Sequence, residues 1–183
     1  MDKVAGWYAL TVKPQHEFRA LEGLSAIPEV EGFLPSYKDK RIWSDRVKIL
    51  DAPLFPGYVF ARFEYPGLRV PVLRVAGVRS IVGSGSAPIP LADEEIDTIR
   101  TLVNSEFPLR PWPFLRAGQR VRVEHGPLRG VEGIILNQKD EWRMVVSVEL
   151  LQRSISVLVD RSILKIVSTG NGPATPHQTL TSR

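Results

Sequence analysis

Near the start of the chain, Trp7-Tyr8-Ala9-Leu10-Thr11-Val12 carries aromatic and β-branched residues without a charge, which predicts a buried strand that Pro14 stops. From Gln15 the period becomes helical. Phe18, Leu21 and Leu24 or Ser25 form an apolar stripe, Glu17, Arg19 and Glu22 fall elsewhere, and the stripe ends near Pro28. Phe33-Leu34 before Pro35 and Arg41-Ile42-Trp43 after it read as two arms of a ribbon around the charged stretch Lys38-Asp39-Lys40-Arg41, either a hairpin or a mobile loop. In Pro53-Leu54-Phe55-Pro56-Gly57-Tyr58-Val59-Phe60-Ala61-Arg62-Phe63 a Pro-Gly turn leads into an alternating strand. Tyr58, Phe60 and Arg62 share one face, and Val59, Ala61 and Phe63 the other. Both faces are apolar enough to be covered, so the strand is expected to be central.

The segment from Val70 to Val75 reads as a short helix interrupted by Pro71, and Val78-Arg79-Ser80-Ile81-Val82-Gly83 as another strand. After a Gly- and Pro-containing loop to Pro90, a second amphipathic helix begins. Asp93 suits its N-cap, Glu94 and Glu95 suit the positive end of the helix dipole, and Ile96, Ile99 and Leu102 or Val103 form its buried stripe. Those carboxylates read as helix-start chemistry rather than as a catalytic pair.

Beyond this helix the pattern changes twice. From Phe107 to Leu115, Pro108, Pro111 and Pro113 stand among aromatic and basic residues, the composition of a semi-rigid polyproline linker. Then the helical period disappears. Val121 and Val123, Ile134 and Leu136, Met144, Val146 and Val148, Ile155, Val157 and Val159, and Leu164 and Ile166 all alternate at period two. Five short strands in so little chain suit one small closed barrel. The expected division is a first domain over 1–106, a Pro-rich linker over 107–115, a β-barrel over 116–167 and a disordered polar tail over 168–183.

Composition narrows the function. The 183 residues suffice for two small cores, and 43% hydrophobic with 24% charged residues is the balance of a folding chain. No apolar run approaches the ~18 residues of a membrane span, and the first residues lack the apolar core of a secretory signal, so a cytoplasmic protein without a membrane role is expected. Zero cysteines rule out disulfides, thiolate metal sites and cysteine nucleophiles, and three scattered histidines argue against zinc. Ser, His and Asp occur without a nucleophile motif, and the Gly-containing turns lack the order of a phosphate-binding loop. No catalytic residue, metal or cofactor is therefore expected. The formal charge of +4 points toward a polyanionic neighbour.

Two sets of motifs carry a family resemblance. Gly118-Gln119-Arg120-Val121-Arg122-Val123 followed by Gly126-Pro127-Leu128-Arg129-Gly130-Val131-Glu132-Gly133-Ile134 resembles a KOW motif, in which Gly126 is expected at positive φ. Trp7-Tyr8, then Leu54-Phe55-Pro56-Gly57-Tyr58-Val59-Phe60, then Gly77-Val78 before a strand ending in Gly83, then Pro90 and an acidic-start helix are similar to an NGN domain. In this order the fragments span residues from about 7 to 167, and the chain resembles the NusG-like family.

The resemblance implies an α+β protein: an NGN α/β sandwich with an antiparallel sheet flanked by helices, then a small five-stranded KOW β-barrel. It implies a non-enzymatic monomer that binds the clamp helices of the largest RNA polymerase subunit. Its KOW domain would recruit a small-subunit ribosomal protein or a termination factor. Carried over by position, the polymerase surface comprises Arg19, Phe55, Tyr58 and Phe60, with Leu68 and Arg69 facing the opposite wall of the cleft. Phe55 and Phe60 also fit a plain core reading. Lys38, Lys40, Arg41, Trp43, Arg46 and Lys48 occupy the family's variable hairpin and suit non-template DNA, the other reading being a solvated charged loop. Leu150, Leu151 and Arg153 occupy the partner loop of the barrel. There Gln152 stands where the family has glycine, a departure that points to a specialised paralogue. The alternative function is a KOW-containing, RNA-binding, ribosome-associated protein.

Overall fold

The computed structural model describes residues 5–42, 46–84, 87–138 and 141–168. The expected tail after Ser168 lies outside the described residues. The chain divides into two compact units, Met1–Asn104 and Ser105–Arg183.

The first unit opens with strand β1 (Ala5–Val12), helix α1 (Glu17–Ser25) and strand β2 (Glu31–Phe33), then a ribbon of β3 (Ser36–Ile42) and β4 (Val47–Pro53), and strand β5 (Tyr58–Glu64). Helix α2 (Arg69–Leu73), β6 (Val78–Ile81), the short pair β7 (Gly83–Ser84) and β8 (Ala87–Pro88), and helix α3 (Asp93–Val103) complete it. Four strands form an antiparallel sheet in the order β2-β5-β1-β6. β5 is central, as its two apolar faces require. Val59, Ala61 and Phe63 share a core with Leu10 and Val12 of β1, Ala20 and Leu24 of α1 and Val72 of α2.

The opposite register holds Trp7, Phe33 and Phe60, three rings in a chain of centroid separations near 6 Å, at 6.3 Å for Trp7 to Phe33 and 6.2 Å for Phe33 to Phe60. From α3, Arg100 lies over Trp7 at 5.0 Å and over Phe33 at 5.3 Å, and it pairs with Glu31 on β2. The guanidinium thus fastens α3 to the sheet by stacking and charge together.

Three expectations in this unit are corrected. The buried residues of α1 are Glu17, Ala20 and Leu24, while Phe18 is 42% exposed, so the helix is rotated from the expected stripe. Asp93 is the first helical residue, not the cap. Ala92 caps α3 from extended backbone, its N–H donating to the Glu95 carboxylate at 3.2 Å. Finally, the charged stretch does not separate the ribbon's arms. Lys38, Asp39 and Lys40 lie within β3, paired from Ser36↔Pro53 to Ile42↔Val47, and Phe33 belongs to the main sheet opposite Phe60.

In the second unit β9 (Leu109–Pro113), β10 (Arg120–Val123), β11 (Glu132–Gln138), β12 (Glu141–Val148), β13 (Arg153–Leu158) and β14 (Leu164–Ser168) form one antiparallel sheet in the order β14-β10-β11-β12-β13-β9. Five of these are the alternating segments read from the sequence. The sixth, β9, corrects the linker reading of 107–115. Its residues pair with β13 from Arg153↔Pro113 to Val157↔Leu109, and Pro111 and Pro113 are tolerated because β9 is an edge strand. Gly126 takes φ +83°, as its turn requires.

Candidate functional site

The bend before β5 is a four-residue turn in which the Tyr58 N–H donates to the Phe55 carbonyl at 3.1 Å. Pro56 supplies the second position and Gly57, at φ +85°, the third, which is the geometry of a type II turn. A side chain at Gly57 would meet no neighbour within 4 Å, so glycine is required there by backbone conformation and not by crowding.

Two contacts anchor the turn. The Gly57 carbonyl accepts from the Val12 N–H at 2.9 Å, and the Gly57 N–H donates to Glu17 Oε1 at 2.9 Å. Glu17 is a carboxylate only 5% exposed, and this bond gives it a partner. It also ties the first turn of α1 to the bend. Phe18 and Arg19, the next residues of that turn, are exposed, and Tyr58 on the bend is half-buried.

The structure separates the expected polymerase residues. Phe55 and Phe60 are fully buried, with ring centroids 5.6 Å apart at an interplanar angle of 85°, and Leu54 beside them is 1% exposed. Neither ring presents a surface, so both are corrected to core residues that support the bend from below. Sequence cannot make this distinction, because an aromatic ring at a turn serves either as an anchor or as a plug. Arg19 and Tyr58 remain accessible. Phe18 and Glu17 were missed. Their signal was present in the spacing of Glu17, Ala20 and Leu24 at i, i+3 and i+7, which a search for large apolar residues passes over.

Leu68 is half-buried against the α1-side core and Arg69 is exposed at the start of α2. The phenol of nearby Tyr8 has its pKa raised, chiefly by burial and then by Tyr65 and Glu64.

On the ribbon, Lys38 pairs with Asp51 at 2.8 Å, and Lys40, Arg46 and Lys48 are exposed. Trp43 lies outside the described residues, as does the side chain of Arg41. Ile42, Val47 and Ile49 are also exposed on the ribbon, at 78%, 54% and 63%, on the face shared with Lys38 and Lys40.

In the second unit the loop after β12 makes one 3₁₀ turn, Glu149–Leu151, and enters β13 at Arg153. Leu151 is buried, a correction to its reading as a contact residue, while Leu150 is half-buried and Arg153 exposed. Gln152 stands at φ +51° and ψ +43°, the left-handed conformation a glycine would take. Its backbone N–H and its side-chain amide both donate to the Glu149 carbonyl, at 3.1 and 2.6 Å, which offsets the strain. The loop therefore holds a left-handed residue at this position with a side-chain bond in place of glycine's freedom. Gln152→Val, which cannot make the second bond and is β-branched, should destabilise this unit by about 1–2 kcal/mol. Urea unfolding followed on the amide signals of 105–168 measures it, and an unchanged midpoint would show that the turn carries no strain.

An α/β unit with an antiparallel sheet and a Pro-Gly bend, joined to a β-rich unit with KOW-type turns, defines the NGN–KOW class of two-domain α+β proteins. A family model described as "Transcription termination factor nusG" matches residues 5–100. The NusG protein of Borreliella burgdorferi is 26% identical over 174 residues, covering 84% of this chain and 94% of that one. The NusG protein of Buchnera aphidicola subsp. Baizongia pistaciae is 30% identical over 141 residues, covering 74% and 77%. Both are described as transcription termination/antitermination proteins. In fold, the chain resembles the solved structure of Thermotoga maritima NusG, with a TM-score of 0.59 over 90% of this chain and 98% of that one at 21% identity. The chain belongs to the NusG family of non-enzymatic transcription termination/antitermination factors.

Proposed function

We propose that this chain binds RNA polymerase through Arg19, Tyr58 and the neighbouring Phe18, and recruits a second protein through Leu150 and Arg153. The observation that carries the reading is the Glu17 to Gly57 hydrogen bond, which brings the first turn of α1 to the Phe-Pro-Gly-Tyr bend. A half-buried tyrosine, an exposed phenylalanine and a free-standing arginine supply what a partner helix needs: an aromatic anchor, apolar area and a charge-assisted bond. By family resemblance, that partner is the pair of clamp helices in the largest polymerase subunit. Leu68 and Arg69 would face the opposite wall of the cleft, and the ribbon, with Lys40 on one face and Lys48 on the other, would approach the non-template strand. The KOW-type loop would meet a small-subunit ribosomal protein or a termination factor.

Arg19→Ala combined with Tyr58→Ala should weaken capture of core RNA polymerase by at least about tenfold, because a hot-spot truncation commonly costs ~2 kcal/mol or more. Both side chains are accessible, so the amide spectrum should stay native. Full capture by the folded double variant would refute this surface. Charge distribution speaks against the ribosome-associated RNA-binding alternative. In the second unit Arg120 and Arg122 pair with Glu132, Arg143 with Glu141 and Lys165 with Glu124, so four of its basic side chains are already met by carboxylates.

A further inference from the structure

A second feature of the first unit lies apart from the bend. Residues 65–92 contain three arginines, Arg69, Arg74 and Arg79, and no aspartate or glutamate. The fold gathers part of this charge around one open cleft of about 280 Å³ between the start of α2 and the edge strand β6. Tyr65, Arg69, Leu73, Arg79, Ser80 and Pro88 line it. Among the described residues neither the Arg69 nor the Arg79 side chain has an ion-pair or hydrogen-bond partner. By contrast, Arg100 and Arg122, elsewhere in the chain, each meet a carboxylate.

The Ser80 hydroxyl is held by Thr11 Oγ1 at 2.7 Å, which fixes its position at the cleft. Tyr65 is held by ring contact with Tyr8 at 5.9 Å between centroids. The lining is thus two cations without a counter-charge, one oriented hydroxyl, and apolar walls.

We propose that this cleft binds a phosphate ester, with the Arg69 and Arg79 guanidiniums on the phosphate oxygens and Tyr65, Leu73 and Pro88 against the group the phosphate carries. Guanidinium forks match phosphate geometry and form charge-assisted hydrogen bonds. Two cations with no acid between them favour a ligand of charge near −2 over a single carboxylate. The volume lies just below the ~300–1,000 Å³ of ordinary ligand pockets, so it admits a phosphate with one attached sugar or ring and little more. The chemistry is common to a free nucleotide and to a phosphate of a single nucleic-acid strand, and the test separates these sources. The proposal goes beyond the docking reading and is tested on the full chain without polymerase, so either can fail alone.

The experiment is an amide NMR titration at constant ionic strength with sodium pyrophosphate, with adenosine 5′-monophosphate, and with a 12-nucleotide single-stranded DNA. Shifts at the amides of Arg69, Arg79 and Ser80 are expected. In Arg69→Ala/Arg79→Ala they should weaken by at least about tenfold in affinity, with the rest of the spectrum native since both side chains are exposed. Arg79→Lys keeps the charge but loses the fork, and should fall between. Binding of pyrophosphate or the mononucleotide at least as tight as that of the oligonucleotide assigns a free ligand. Tighter oligonucleotide binding whose salt slope drops by ~1 in Arg79→Ala assigns a strand phosphate. Shifts confined to the ribbon amides, equal shifts with an acidic glutamate peptide, or no shift at the cleft would each overturn the proposal.

Discussion

Phe60→Ala is expected to destabilise the N-terminal unit by roughly 3–5 kcal/mol, the range for truncating a buried aromatic ring. Phe60 is fully buried on a central strand, touches Phe33 and Phe55 through its ring, and faces the side of the sheet that Arg100 fastens to α3. Truncation would leave a cavity whose walls are held by backbone pairing on both sides, Phe33 through β2 and Ala9 through β1, so they have little freedom to collapse. Such a loss is a large share of the ~5–15 kcal/mol available to a domain. Urea unfolding read on amide signals of residues 5–104 measures it, and a loss below about 1 kcal/mol would contradict the packing. The variant should also lose the polymerase capture proposed above, through misfolding of the bend. This is why Phe60 substitutions would mimic those of a contact residue, and why Tyr58 and Arg19 are the informative positions.

Glu17→Ala should cost about 2–3 kcal/mol, because it removes a charge-assisted acceptor and leaves the Gly57 N–H without a partner. Glu17→Gln retains a side-chain oxygen that can accept the same bond, so it should recover most of the loss. That ordering separates the hydrogen bond from the charge. The amide of Gly57 should move in Glu17→Ala, and the proposed polymerase capture should fall, since the first turn of α1 is no longer tied to the bend. An unshifted Gly57 amide with unchanged stability would show that the carboxylate does not hold the turn.

Legibility varied by element for identifiable reasons. The strands Ala5–Val12 and Tyr58–Glu64 and the five alternating strands of the second unit were readable, because period-two burial is written directly into their residue types. β9 was not, because prolines in Leu109–Pro113 mimic a linker, and only the free edge of β13 turns that extended chain into a strand. The stripe of α1 was misread through Phe18, the largest apolar residue of the helix, which the fold leaves at the surface.

By itself the sequence determined the two-unit order, the turn at Pro56-Gly57 and the family, since these depend on local backbone preference and on motifs in order. Tertiary structure alone decided which rings at the bend are reachable, that a glutamate is buried to hold a turn 40 residues further on, and that Arg69 and Arg79 share one cleft. Those outcomes depend on what each face packs against, and neighbours brought together across tens of residues leave no mark in local spacing.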